Sequence, residues 1–81
     1  MNKNEIAERV AKVTCEVLNV TPDMVKPESD FVFDLGAEST QSVQLVAAFD
    51  EEFDINMDAE DALEVQTVGD AVEFIEKYVN K

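Results

Sequence analysis

Ser39 is the residue whose setting says most about chemistry. It closes the segment Phe33-Asp34-Leu35-Gly36-Ala37-Glu38-Ser39, where a stretch without helical period gives way to one with it. The first backbone N–H groups of a helix and its dipole favour negative charge, so a phosphodiester on the Ser39 hydroxyl would be stabilised at that point. Gly36 can take the positive φ that a sharp entry into a helix requires. Taken alone, a serine at a helix start is ordinarily a cap, and both readings stand on these residues. Nucleophilic hydrolysis does not fit, because the chain holds no histidine to act as base and carboxylate pairs need a water-excluding pocket to separate their pKa values. Asp54, Asn56, Asp58 and Glu60 alternate like a calcium loop. In that frame Ala59 stands where glycine is needed and Val65 where a bidentate glutamate is needed, so only loose divalent binding is expected. Cys15 is the sole cysteine, which excludes an internal disulfide framework and a cysteine metal cluster.

Four helical segments and one long loop must position these groups. The first helix is expected from about Lys3 to Leu18, with Ile6, Val10, Val13 and Val17 on one face and Asn2 with Glu5 as its N-terminal capping pattern. Cys15 lies off that stripe, near the surface, and is read as incidental and liable to crosslink. From about Asn19 to Glu38 the helical period lapses around Pro22, Pro27 and Gly36, and Thr21-Pro22 can start one short helical turn. Val20, Val25, Phe31, Phe33 and Leu35 are spaced as anchors that would order this loop. A second helix is expected from Ser39 to about Phe53, turning Val43, Val46, Phe49 and Phe53 inward and Thr40, Gln44, Ala47 and Glu51 outward. Asp58 caps a short third helix through about Val65, with Met57 set to pack on Ala62. Thr67 with Asp70 caps the fourth, whose buried side is Ala71, Val72, Phe74, Ile75, Tyr78 and Val79. The expected fold is all-α, a four-helix bundle with a short third helix, as a single domain over residues 1–81.

Nineteen acidic residues against six basic ones give the 81-residue chain a formal charge of −13. Such a surface repels nucleic acid and anionic lipid and steers basic partners toward it, though it also simply keeps a small protein soluble. Hydrophobic content of 46% is enough for a packed core and too high for a disordered acidic tail. A chain of this size has room for one modest core, which leaves little for a deep active site. No basic-then-apolar leader and no membrane-length apolar run is visible, so a cytoplasmic location, no stable membrane insertion and a monomeric state are expected.

The segment Asp34-Leu35-Gly36-Ala37-Glu38-Ser39-Thr40 resembles the acyl carrier protein signature Asp-Leu-Gly-Ala-Asp-Ser-Leu, agreeing at Asp34 through Ala37 and at Ser39. Val43, Leu45-Val46, Glu51-Glu52-Phe53-Asp54, Glu60, Ala62, Thr67-Val68-Gly69-Asp70-Ala71-Val72 and Ile75-Glu76-Lys77 fall at that family's usual spacings from the serine, so the similarity covers nearly the whole chain. The resemblance implies a carrier, not an enzyme. It would hold acyl intermediates as thioesters on a 4′-phosphopantetheine taken from coenzyme A and esterified to Ser39, with Asp34, Leu35, Gly36 and Glu38 as the surrounding motif. It implies fatty acid, lipid or polyketide-type biosynthesis, loading by a phosphopantetheinyl transferase, and acyl-transfer, ketosynthase or acyl-activating partners with basic docking patches. It also implies an apolar cleft for the acyl chain, for which Val43, Val46, Phe49, Leu63, Val65, Phe74 and Ile75 are the candidates.

Two signature positions differ, Glu38 for aspartate and Thr40 for leucine. Thr40, Gln44, Ala47 and Glu51 also form an outward strip less apolar and less acidic than the family's leucine, glutamate, methionine, glutamate, and Gln41 replaces a usual acid. Fewer charges on that face slow encounter with standard basic partners, which points to a specialised pathway. Neutral drift in an ordinary carrier accounts for the same substitutions. A peptidyl carrier would show a second glycine where Ala37 stands and ranks lower. An acidic interaction module without prosthetic group differs in predicting no mass gain from coenzyme A.

Overall fold

The computed structural model describes residues 1–80, and in them α1 (Lys3–Leu18), α2 (Ser39–Phe53), α3 (Ala59–Leu63) and α4 (Val68–Val79) pack as a bundle without strands. The Asn2 side chain accepts the Glu5 N–H at 2.8 Å to start α1. Asn19 ends it in the left-handed region (φ 56°), a conformation that asparagine tolerates better than most residues. Ile6, Val10, Val13 and Leu18 bury one face of α1 against α2 and α4, with Val17 half-buried beside them. Thr14 is buried on the same face, its hydroxyl satisfied by donating to the Val10 carbonyl at 2.7 Å. Cys15 is half-buried rather than at the surface.

The long connection from Asn19 to Glu38 is ordered by its own hydrogen bonds. A single 3₁₀ turn spans Pro22–Met24. Buried Ser29 then donates to the Met24 carbonyl and accepts the Lys26 N–H, both at 3.0 Å. Three backbone bonds strap the loop to the start of α4: Phe31 N–H to Gln66 O at 2.9 Å, Val68 N–H to Ser29 O at 3.0 Å, and Gly69 N–H to Pro27 O at 2.8 Å. Of the five expected anchors only Phe31 and Leu35 are buried; Val20 and Val25 are half-buried, and Phe33 is 88% exposed. The cause is local. Asp34 and Leu35 N–H groups both return to the Asp30 carbonyl and Gly36 N–H to Val32 O, so residues 30–36 wind like a helical turn. Positions four apart then share a side and the one between faces away.

The inward face of α2 is also rotated from its expected place. Leu45, Phe49 and Phe53 are buried and Val46 half-buried, while Val43 is 58% exposed. Residues two apart on a helix point about 200° apart, so Leu45 and Val43 cannot both meet the core. Asp54 closes α2 at φ 53°, and its neighbour Asp50 accepts the Met57 N–H at 3.0 Å, turning the chain toward α3.

Asp58 caps α3 by accepting the Asp61 N–H at 3.1 Å. The helix stops at Leu63 rather than Val65, because Glu64 and Val65 N–H groups bond back three residues, to Asp61 O and Ala62 O, tightening the last turn. α3 buries none of its residues and packs on α2 alone among the helices with substantial contact. Thr67 caps α4 through the Asp70 N–H at 3.1 Å. Ala71, Val72 and Ile75 are buried, and Phe74 and Tyr78 stack edge-on at 5.3 Å, half-buried, with the Tyr78 hydroxyl accepting the Asp58 N–H at 3.3 Å.

Candidate functional site

Ser39 is the first residue of α2 and is exposed, as are Glu38 before it and Thr40 after it. Its position is set from the loop side. Gly36 takes φ +72° with nothing within 4 Å of where a side chain would begin, so the glycine serves conformation and not packing. The Ala37 N–H then bonds the Phe31 carbonyl at 2.8 Å, and Leu35 and Ala37 are buried, which fixes the approach to the helix from below. Glu38 is the N-cap in extended conformation (φ −89°), and the Gln41 side chain reaches back to accept its N–H at 3.0 Å. Gln41, odd as a substitution for an acid, thus has a local use.

Asp34 is spoken for by the loop, its carboxylate accepting the Asp30 N–H at 2.7 Å. Asp30 in turn accepts the N–H groups of Val32 and Phe33 at 2.8 and 2.9 Å. Asp34, Leu35 and Gly36 therefore build the approach to Ser39 rather than face it. No acidic side chain lies within the first turn of α2, although the Glu38 carboxylate sits at its N-cap in a capping box with Gln41, and the Ser39 hydroxyl is at the positive end of the helix dipole.

A cavity of about 320 Å³ opens beside this helix start, between α2, α3, α4 and the loop. Val46, Phe49, Leu63, Val65, Phe74 and Ile75 are on its wall. Val43 is not: it lies outside, 58% exposed, on the far side of α2 from Leu45. Leu45, Phe31, Val32, Phe33, Met57, Ala62 and Ala71 complete the apolar wall and were not among the expected lining. Leu45 could have been found from its i, i+4 spacing to Phe49 and Phe53; Phe31 and Met57 arrive through tertiary folding of loops. Ser42 also lines the cavity, one turn along α2 from Ser39 and on the same side, so a group tethered at Ser39 has the cavity within reach. An exposed hydroxyl at a helix start, with an apolar recess next to it, fits a phosphate-linked arm that ends in an apolar load.

The outward strip is where the helix period places it, with Thr40, Gln44, Ala47 and Glu51 all exposed. Among the described residues no group of carboxylates, histidine or cysteine is arranged to hold a metal ion. The Cys15 thiol is pushed above its ordinary pKa, first by burial and then by the Glu16 carboxylate, which makes it a poor nucleophile. No helix among the described residues is long and apolar enough to cross a membrane.

Residues 8–75 match the family model described as "Phosphopantetheine attachment site". Among curated proteins, the chain is 46% identical over 74 residues to a protein named acyl carrier protein from Phenylobacterium zucineum (strain HLK1), an alignment that covers 91% of this chain and 94% of the relative. It is 49% identical over 72 residues to acyl carrier protein from Caulobacter vibrioides (strain NA1000 / CB15N), covering 89% of this chain and 92% of the relative.

Proposed function

The chain belongs to the acyl carrier proteins of the phosphopantetheine attachment site family, and from that premise we propose that the hydroxyl of Ser39 is the oxygen to which its 4′-phosphopantetheine is esterified. The single observation that carries this is the position of Ser39, exposed as the first residue of α2 on the turn that leads to the cavity. When bound, the arm supplies a terminal thiol on which an acyl group is held as a thioester. The chain's own residues do the rest. Gly36, Asp34 and Leu35 fix the backbone that leads into Ser39, and the dipole at the helix start favours the phosphodiester. The apolar wall from Val46, Phe49, Leu63, Val65, Phe74 and Ile75 excludes water from an apolar load.

The protein's part is positioning and address rather than catalysis, in keeping with the absence of any histidine. Its partners are a phosphopantetheinyl transferase and biosynthetic enzymes with basic patches, drawn by the −13 charge and docking on the strip from Thr40 to Glu51. That strip holds one acidic residue, Glu51, and small or neutral side chains at Thr40, Gln44 and Ala47, which suits a carrier dedicated to a specialised pathway. Labelling with a fluorescent coenzyme A analogue and a broad-specificity transferase tests the attachment: fluorescence should localise to the peptide that contains Ser39. Rates with bulk fatty acid synthesis enzymes test the dedication, and equality with a conventional carrier would remove its support.

A further inference from the structure

Phe33 is the most exposed large apolar side chain among the described residues, at 88%. Its backbone is firmly held. The Asp30 carboxylate accepts the Phe33 N–H at 2.9 Å, and the loop is strapped to α4 through Phe31, Ser29 and Pro27. The turn uses only the N–H of residue 33, so any polar side chain would serve the fold equally well. Nor is the ring an isolated surface apolar group of the ordinary kind. Val32 at 52% and Leu63 at 49% exposure are the other large exposed apolar side chains on the wall of the cavity, and with Phe33 they form an apolar rim at its edge.

A group tethered at Ser39 that enters this cavity passes that rim, because Ser42, one turn from Ser39, lies on the same wall. We propose that Phe33 is a specificity-determining residue, whose ring swings onto the mouth of the cavity and covers an apolar acyl load. The inference rests on Ser39 as the attachment point. With the backbone fixed, only the side-chain torsions need change, and ring and acyl chain leave water together. A short acyl group is too small to meet the ring, and a polar one returns nothing for its desolvation. An anionic one is further disfavoured by Asp30, which also borders the cavity. The cargo class selected is therefore an uncharged aliphatic acyl chain long enough to reach the rim.

The test loads wild type, Phe33→Ala and Phe33→Leu with acetyl and with octanoyl groups from the corresponding acyl-coenzyme A, using a broad-specificity transferase, and follows thioester hydrolysis at mildly alkaline pH by intact mass. Wild type should hydrolyse octanoyl about three- to tenfold more slowly than acetyl, the range that partial burial of a few methylenes and one ring supports. Phe33→Ala should lose most of that ratio and Phe33→Leu should keep it, while unloaded Tm stays the same in all three because the ring touches little in the unloaded fold. An undiminished ratio in Phe33→Ala overturns the proposal, including the case in which that variant only weakens turnover with a partner enzyme, which would make the ring a docking anchor. No octanoyl protection in wild type overturns it too. If wild type takes up no acyl-phosphopantetheine at all, the attachment reading fails and this proposal with it; loading without the ratio sinks this proposal alone.

Discussion

Replacing Gly36 separates backbone conformation from packing, because the position has a φ of +72° and nothing within 4 Å of a new Cβ. An L-alanine there meets no neighbour and suffers only the left-handed conformation, which costs about 1–2 kcal/mol. Against this, losing glycine narrows the unfolded ensemble, a gain of about 0.4–1 kcal/mol. The net loss is about 0.5–1 kcal/mol, set against a total stability of about 4–12 kcal/mol for a domain of this size, so the fold persists. In Tm this is a drop of about 2–8 °C. D-alanine at the same position, introduced by chemical synthesis, prefers positive φ and keeps the entropic gain, so its Tm should rise by about 2–8 °C. Thermal unfolding followed by circular dichroism on the three synthetic proteins gives the comparison. Equal shifts for the two enantiomers, or a higher Tm with the L form, would refute the claim that glycine is required here for its φ.

Other expectations follow from the same geometry. Gly69→Ala should cost more, about 1–3 kcal/mol, since its Cβ would lie 3.0 Å from the Pro27 carbonyl oxygen, the acceptor of a strap bond; a Tm unchanged from wild type would mean the strap yields freely. Thr67→Ala removes the acceptor of the Asp70 N–H and should lower stability by about 1 kcal/mol in urea titration, with serine restoring it. Raising ionic strength from low to moderate should raise Tm, because the excess of carboxylates repels itself and the three ion pairs among the described residues, exposed or partly exposed, offset little of that. Cys15 should alkylate more slowly than a model thiol at pH 8: a raised pKa leaves less thiolate at a given pH, and the rate should climb later as pH increases.

The helices were legible because their signals are local and redundant. α1 and α2 begin and end where periodicity and capping residues place them, and Thr67 and Asp58 cap as their side chains suggest. The loop was legible only in part. Alternating apolar residues at 31, 33 and 35 look equivalent in sequence, but the Asp30 carboxylate and carbonyl wind the segment into a turn that buries Phe31 and Leu35 and expels Phe33. That outcome depends on hydrogen bonds to one aspartate, not on hydrophobic pattern. Val43 was misplaced for a related reason: an apolar β-branched residue fits an inward stripe by type, while the wider apolar arc of α2 through Leu45, Val46, Phe49 and Phe53 leaves two adjacent ways to orient the helix. Tertiary packing on α1 chose the one centred on Leu45 and Phe49. The cavity wall was legible where it is helical, and not where Phe31 and Met57 enter it from loops.

Attachment at Ser39 is the claim on which the functional account rests, and Ser42, one turn away on the cavity wall, is the hydroxyl that tests it hardest. Wild type, Ser39→Ala and Ser42→Ala should each be incubated with coenzyme A and a phosphopantetheinyl transferase and their intact masses measured. Wild type and Ser42→Ala should gain the mass of one phosphopantetheinyl group while Ser39→Ala gains none. A gain in Ser39→Ala, or none in wild type with any transferase, would contradict the account.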